Sequence, residues 1–394
     1  MTYAMEELSV LDISQGVPGP LCAMQLGDLG ARVTKVEPPD GDWLRRVGPY
    51  VGGESSLFLQ VNRNKRGVAI DAKTAEGRTI LQQLSEGVDV IVDGYRPGVA
   101  ERLGLGYDEV RRRNPRAIYL SITAFGTDGP MAHEAGSEIA LQSMVGTNRQ
   151  VGVADEEPLR LGFDMASVSA AWAGVQGVMA ALFARERTGR GQRVETSMLA
   201  SLMAIWQWNV AAESKPDAWR GVQLTGYTDP QDHGYQTADL GMLVAFRGDE
   251  DGWRQFCRTI GADEVLEDPR FTLENRRNYD GDLKSIISRH LATKSYEEVR
   301  RLVRELDGTV VPMHDMKSLF DDPQVAAIAA IGEFTHPVAG EVKALNPPWH
   351  FSEPLVRSEF DPPPLLGQHT DTVLEELGYR ADDIGGLRAR RIIR

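Results

Sequence analysis

Cysteine is nearly absent: Cys22 and Cys257 are the only two in 394 residues. Two isolated thiols make neither a disulfide framework nor a metal-ligand cluster, so no metal is expected and a reducing, cytoplasmic setting fits. Long apolar runs are wanting too. No stretch reads as the roughly 18–20 residues that a bilayer-spanning helix needs, and no membrane partner is expected. The opening MTYAMEELSVLDIS has no basic segment ahead of an apolar core, so no secretory signal is read there. No GxGxxG follows the first strand-like segment, and Walker A, HExxH and GxSxG patterns are missing, which removes the common dinucleotide, nucleotide, zinc-peptidase and serine-hydrolase signatures. Basic charge is in deficit. A net charge of -14 argues against nucleic acid and anionic membrane as partners. Local basic clusters (Arg63, Lys65 and Arg66; Arg111, Arg112 and Arg113; Arg388, Arg390 and Arg391) leave room for a phosphorylated small ligand.

What is present is globular: 42% hydrophobic and 25% charged residues, in a chain long enough for two or three units at about 150 residues each. Apolar segments at 8–13, 31–37, 67–71, 88–92 and 117–122 read as strands. Helical stretches separate them, one opened by QGVPGP, one by Thr74 as N-cap, one after Pro97 and one at 107–114. Strands alternating with helices mean βαβ units and a mostly parallel sheet. Ligands of such sheets bind at the carboxyl ends of the strands, which groups the loops 15–20, 38–42, 94–98 and 123–130 around one crevice. An apolar, Ala- and Gly-rich helix spans 165–185, followed by the strand-like RVETSM and a helix at 199–212. From about residue 227 the character changes, and 225–330 parses as a second, smaller α/β domain.

Six stretches, in order, carry a resemblance that runs along nearly the whole chain. They are VLDISQGVPGPLCAMQLGDLGARVTKVEPPDGD, FLQVNRNKRGVAIDAKTAEGR, DVIVDGYRPGVAERLGLGYDEVRRRNPRAIYLSITAFGTDGP, RERTGRGQRVETSM, DDPQVAA and PPLLGQHTDTVLEELGY. Their sequence and order resemble the family III CoA-transferases, the group that includes formyl-CoA transferase, carnitine CoA-transferase and α-methylacyl-CoA racemase. The resemblance implies an α/β fold in which 1–212 and 335–394 form a large Rossmann-like, CoA-binding domain. Residues 225–330 form the small domain, with 213–224 and 331–334 as linkers. It also implies two chains threaded as interlocked rings, a homodimer. The substrates implied are an acyl-CoA and a carboxylic acid, with no covalently bound cofactor.

The transferases of this family are expected to use an Asp in a P-G-Y-D-L-like motif. Here the matching stretch is Ala135-Gly136-Ser137-Glu138-Ile139, which puts Glu138 at the reacting position. A carboxylate there would attack the thioester, giving a mixed anhydride and then a glutamyl-CoA thioester that the acceptor acid opens. The extra methylene moves the carboxylate about 1.5 Å outward, and displacements near 1 Å can cost about a hundredfold in rate. Three readings of Glu138 therefore stand side by side. It is the nucleophile of a CoA-transferase; or an acid/base in an acyl-CoA isomerase or racemase; or a non-catalytic residue of an acyl-CoA-binding subunit paired with a sister chain in a heteromer. Apart from the resemblance, a Glu opening a helix is simply favoured there by the helix dipole. The racemases pair a His with the carboxylate; Ser137 stands at that place, with His133 nearby.

For coenzyme A, the resemblance points to Gln15 and Val17 near the thioester. It places Tyr95, Arg96 and Arg102 on the nucleotide side, Phe125 toward the pantetheine arm, and Met198 close to the reacting centre. The plainer readings are core aromatics for Tyr95 and Phe125 and a surface ion pair for Arg102. The chain also departs from the pattern. Val17 stands where formyl-CoA transferase has Gln, Pro38 where an Arg often follows, and Thr123 where a Lys precedes the aromatic turn. Ser167 falls where an Asp is frequent, and 221–234 has no clear equivalent of a shielding Gly-rich loop. These departures turn the expectation from oxalate toward a larger or less polar acyl group.

Overall fold

Six short segments, each carrying Val, Ile or Leu, form one parallel sheet in this computed structural model, which describes residues 3–149, 157, 159–205, 207–212, 214, 234–245, 249–272 and 275–394. They are β1 (Ser9–Asp12), β2 (Arg32–Glu37), β3 (Lys65–Ala69), β4 (Val90–Asp93), β5 (Ile118–Thr123) and β6 (Arg193–Ser197). The spatial order is β3-β2-β1-β4-β5-β6. Val10 of β1 lies opposite Val33 on one side and Val90 on the other. The central strands β4 and β5 are buried at every residue, as expected where helices cover both faces, whereas edge strand β6 is mostly exposed or half-buried. The other edge, β3, is covered by the returning tail: Arg394 donates to the Ala69 carbonyl at 3.1 Å, and Ile70 bridges Ile393. Covering an edge in this way removes a template for unwanted strand pairing.

The helices that matter here are α1 (Pro18–Asp28), α2 (Ala75–Glu86), α3 (Tyr107–Arg113), α4 (Glu138–Val145) and α5 (Met165–Thr188). Thr74 caps α2, its hydroxyl accepting from the Gly77 amide. One expectation fails at α5. By length and composition this helix is apolar enough to cross a bilayer. The reason for its apolarity is local. It is the crossover between β5 and β6, and Ala170, Ala171, Gly174, Val175, Val178 and Ala181 are buried in one core with β4, β5 and α1. Contact there is close: a Cβ at Gly177 would stand 2.6 Å from Val194. The opposite side of α5 leaves Trp172 55% and Phe183 70% exposed.

The chain divides into two units, residues 1–148, 160–211 and 329–394 in one, and 149–159 and 212–328 in the other. The second has a three-stranded antiparallel sheet of β7 (Tyr235–Gln236), β8 (Gly241–Ala245) and β9 (Thr309–Pro312), with β8 central. Trp253, Phe256, Ile287, Leu291, Val299 and Val303 fill its core. The linker expected at 331–334 is instead the start of β10 (Ile331–His336), which pairs with β11 (Gly340–Leu345). Alternating Phe334 and His336 inward against Val342 and Ala344 makes a half-buried hairpin rather than a connector. The linker read at 213–224 lies outside the described residues except for residue 214, and so does the loop at 221–234 except for Gly234.

Candidate active site

The sheet order reverses between β1 and β4, so the crevice of an open parallel sheet falls at their carboxyl ends. Gln15 and Tyr95 stand on those two loops, with the Gln15 side chain near enough to the Tyr95 phenol to act on its titration. Burial pushes the Tyr95 phenol up to about 12. The Tyr95 loop is tied at its root: Asp93 accepts from the Tyr95 amide at 2.8 Å and from the Tyr119 hydroxyl at 3.0 Å. Burial raises the Asp93 carboxyl to about 6 in spite of these two bonds. Arg96 is exposed and donates to the His133 carbonyl at 3.3 Å, joining this loop to the segment that leads into α4. Arg102 is exposed, reaches back toward Gly98, and forms no ion pair among the described residues. The plainer reading of Arg102 as one half of a surface ion pair is thus not what the structure shows.

Beneath the β1 loop lies a fully enclosed charge network. Lys65 on β3 donates to Asp12 at 2.9 Å, to the Pro20 carbonyl at 2.8 Å and to Asn62 at 2.8 Å. Lys35 on β2 donates to the Ser14 carbonyl at 3.0 Å and pairs with Asp42 at 3.0 Å. Asp42 in turn accepts from the Gly16 amide at 3.1 Å and from Leu44 at 3.0 Å, while Glu37 makes a bidentate pair with Arg45. Burial alone would raise the Asp12 carboxyl, yet Lys65 and Lys35 beside it, with donors from Lys65 and Ser14, hold it below the usual range. Burial brings Lys65 down to about 8, whereas three neighbouring carboxylates keep Lys35 above its ordinary value against the same penalty.

Glu138 is the first residue of α4, whose N-cap is Ser137. Its carboxylate reaches the N-terminus of α5, a 24-residue helix whose own N-cap, Asp164, makes no side-chain capping bond. One oxygen, Oε1, accepts from the Ala166 amide at 2.8 Å and from the Gln142 amide group at 3.0 Å. The other, Oε2, accepts from the Ser167 amide at 3.0 Å and from the Ser167 hydroxyl at 2.9 Å. Gln142 is itself fixed, donating to the Phe163 carbonyl at 3.2 Å and accepting from Leu161 at 3.1 Å. All four acceptor positions of the carboxylate are thus engaged, and the pair of helix amides favours negative charge there. Phe125 and Met198 pack on the cluster of Leu141, Ala166 and Leu202 that walls this junction. Thr123 turns the chain toward Phe125 by accepting from the Gly126 amide at 3.0 Å.

The sequence profile described as CoA-transferase family III matches residues 5–370. The chain belongs to that family. It is 33% identical over 382 residues to mouse (Mus musculus) succinyl-CoA:glutarate CoA-transferase, covering 95% of this chain and 86% of the relative. It is 34% identical over 328 residues to the acetyl-CoA:oxalate CoA-transferase of Acetobacter aceti, covering 81% of this chain and 83% of the relative. Among solved structures, a CAIB/BAIF family protein from Brucella suis superposes with a TM-score of 0.84 at 25% identity, covering 96% of this chain and all of that one.

A family III CoA-transferase is an enzyme that acts on CoA thioesters and carboxylates. The residues singled out from the sequence stand at the carboxyl end of one sheet. Gln15, Val17, Tyr95 and Arg96 gather on the β1 and β4 loops, while Phe125, Met198 and Glu138 gather beyond β5 and β6. His133 is exposed, and no hydrogen bond joins it to Glu138 among the described residues. Sequence reasoning missed Gln142 as the clamp on Glu138 and the whole Asp12–Lys35–Asp42–Lys65 network. A signal existed for Ser167, already conspicuous as a departure from the family pattern. Another existed for Lys35, a charge set inside a strand that otherwise reads as buried.

Proposed function

We propose that this transferase moves CoA between carboxylic acids through Glu138, with acids larger than oxalate as its substrates. The observation that carries the reading is the four-donor clamp on the Glu138 carboxylate. Of its two oxygens, Oε2 is the one to attack, because the Ser167 hydroxyl can rotate and free a lone pair. A bond forms from Oε2 to the acyl carbon, the carbon–sulfur bond breaks, and CoA leaves as thiolate. The thiolate then attacks the Glu138 carboxyl carbon and expels the donor carboxylate, leaving a glutamyl-CoA thioester. An acceptor carboxylate repeats the two steps in reverse order. In the steps that attack the Glu138 carboxyl carbon, Oε1 carries the developing negative charge, and the Ala166 amide and Gln142 are already aimed at it, as an oxyanion site requires. The size of the acids is supported by the mouse relative named for succinyl-CoA and glutarate and by Val17 on the thioester loop.

A second reading has its own observation. With every acceptor position of Glu138 filled and Ser167 at a place where family members often carry Asp, the carboxylate serves only as the cap of α5. The chain then binds acyl-CoA beside a sister subunit that supplies the reacting carboxylate. Self-association into a homodimer belongs to the first reading, and the exposed Trp172 and Phe183 on α5 support it. A cytoplasmic setting fits the two buried free thiols.

Exchange by the purified chain alone separates these readings. Incubated with succinyl-CoA and isotope-labelled glutarate, it is expected to yield labelled glutaryl-CoA, with sedimentation giving the mass of two chains. Tight acyl-CoA binding without exchange would overturn the first reading for the second, and sedimentation as a single chain would remove the homodimer. Deuterium uptake at the acyl α-carbon without exchange would favour isomerase chemistry.

A further inference from the structure

The turn at residues 14–17 is held from below by charge, in addition to the packing of Val17 on Leu44, Phe58 and Val61. The Ser14 amide and hydroxyl both donate to Asp12 Oδ1, and the Ser14 carbonyl accepts from Lys35. The Gly16 amide donates to Asp42, and the Pro20 carbonyl accepts from Lys65. Gly16 has φ +79°, and a Cβ on it would stand 2.6 Å from the Trp43 ring, so the turn in this conformation requires glycine. Lys35 and Asp42 are completely enclosed, with side-chain exposure of 0% for both. An enclosed ion pair costs desolvation that an apolar pair of the same shape avoids, so stability alone does not account for it. What charged hydrogen bonds add is direction. Between these anchors Gln15 is left half-buried at the mouth of the crevice, its side chain near Tyr95.

We propose that Asp42, backed by Lys35, is a positioning residue for the coenzyme A thioester, setting the height at which the turn presents Gln15 and Val17. This rests on the reading of the crevice as the CoA site. Asp42 touches neither substrate nor reacting atoms; it acts through the Gly16 amide, and Lys35 holds both Asp42 and the Ser14 carbonyl in register. Sub-ångström displacement of a substrate-positioning loop is enough to reach catalysis, which makes a small buried pair a strong lever.

Three proteins test it: the full-length chain, Asp42→Asn, and Lys35→Met/Asp42→Asn. Succinyl-CoA is the probe, with Kd by calorimetry, KM and kcat by exchange, and Tm by scanning calorimetry. Asp42→Asn is expected to raise Kd and KM tenfold or more while kcat falls by a smaller factor, and to lower Tm. The double variant removes the unpaired charge, so its Tm recovers while Kd and KM stay high. Wild-type Kd in both variants overturns the proposal. Recovery of Kd together with Tm in the double variant also overturns it, because the pair then serves stability alone. A wild-type chain that fails to bind succinyl-CoA overturns the reading of the crevice itself.

Discussion

Glu138→Asp is expected to lower kcat about a hundredfold, although it installs the residue type that the family resemblance supplies at that position. The physical reason is the clamp. Shortening the side chain by one methylene draws the carboxylate back about 1.5 Å, and donors now at 2.8 to 3.0 Å from it pass beyond hydrogen-bond range. The oxygen that attacks and the oxygen that receives charge are both displaced. Glu138→Gln keeps the length and loses the nucleophile, and its exchange rate is expected to fall by about a thousandfold or more. Glu138→Ala also removes the only side-chain cap of α5 among the described residues, with an expected stability loss of about 1–2 kcal/mol. Exchange kinetics and denaturant titration on the three variants separate the roles. Full activity in Glu138→Asp would show that the site is not built around a glutamate, and full activity in Glu138→Gln would end its role as nucleophile.

Lys65→Met is expected to be the most destabilising single substitution in the β1–β3 region. The methionine fills the space of the lysine stem but strands the Asp12 carboxylate, the Pro20 carbonyl and the Asn62 side chain, each of which loses its Lys65 donor. Breaking one partner of an enclosed pair typically costs about 3–5 kcal/mol. The first urea transition is the measurement, because a chain of two units has no single unfolding free energy. The pH dependence has a definite sign. Lys65 sits at about 8 when folded against 10.5 when free, so the unfolded chain binds more protons between those values. Stability from this group therefore rises with pH across that window in the wild type, and Lys65→Met removes the rise. A midpoint unchanged by the substitution would show that Lys65 and Asp12 are not coupled.

The contrast between what could and could not be read from the chain follows the reach of each interaction. The alternation of apolar strands and helices is local, and 8–13, 31–37 and 117–122 resolve into β1, β2 and β5 within a residue or two. The strand predicted at 67–71 begins earlier, at Lys65, because a lysine is a poor strand signal until its ammonium finds Asp12 from a distant strand. The apolar α5 reads as a core helix by pattern, but its similarity to a membrane span by composition does not, since small residues dilute the run. Glu138 was legible as a position in a motif. Its partners were not, because Ala166 and Ser167 lie 28 and 29 residues along the chain and meet it only when α4 abuts the start of α5. At 331–334 a linker was read where a strand begins, because a single alternating strand takes its register from its partner.

The central question for this enzyme is whether Glu138 carries the acyl and CoA groups. The chain is incubated with succinyl-CoA, quenched with hydroxylamine, digested and mapped by mass spectrometry. A hydroxamate on Glu138 that disappears in Glu138→Gln is the result predicted. An unmodified Glu138 in protein that demonstrably binds succinyl-CoA would contradict it.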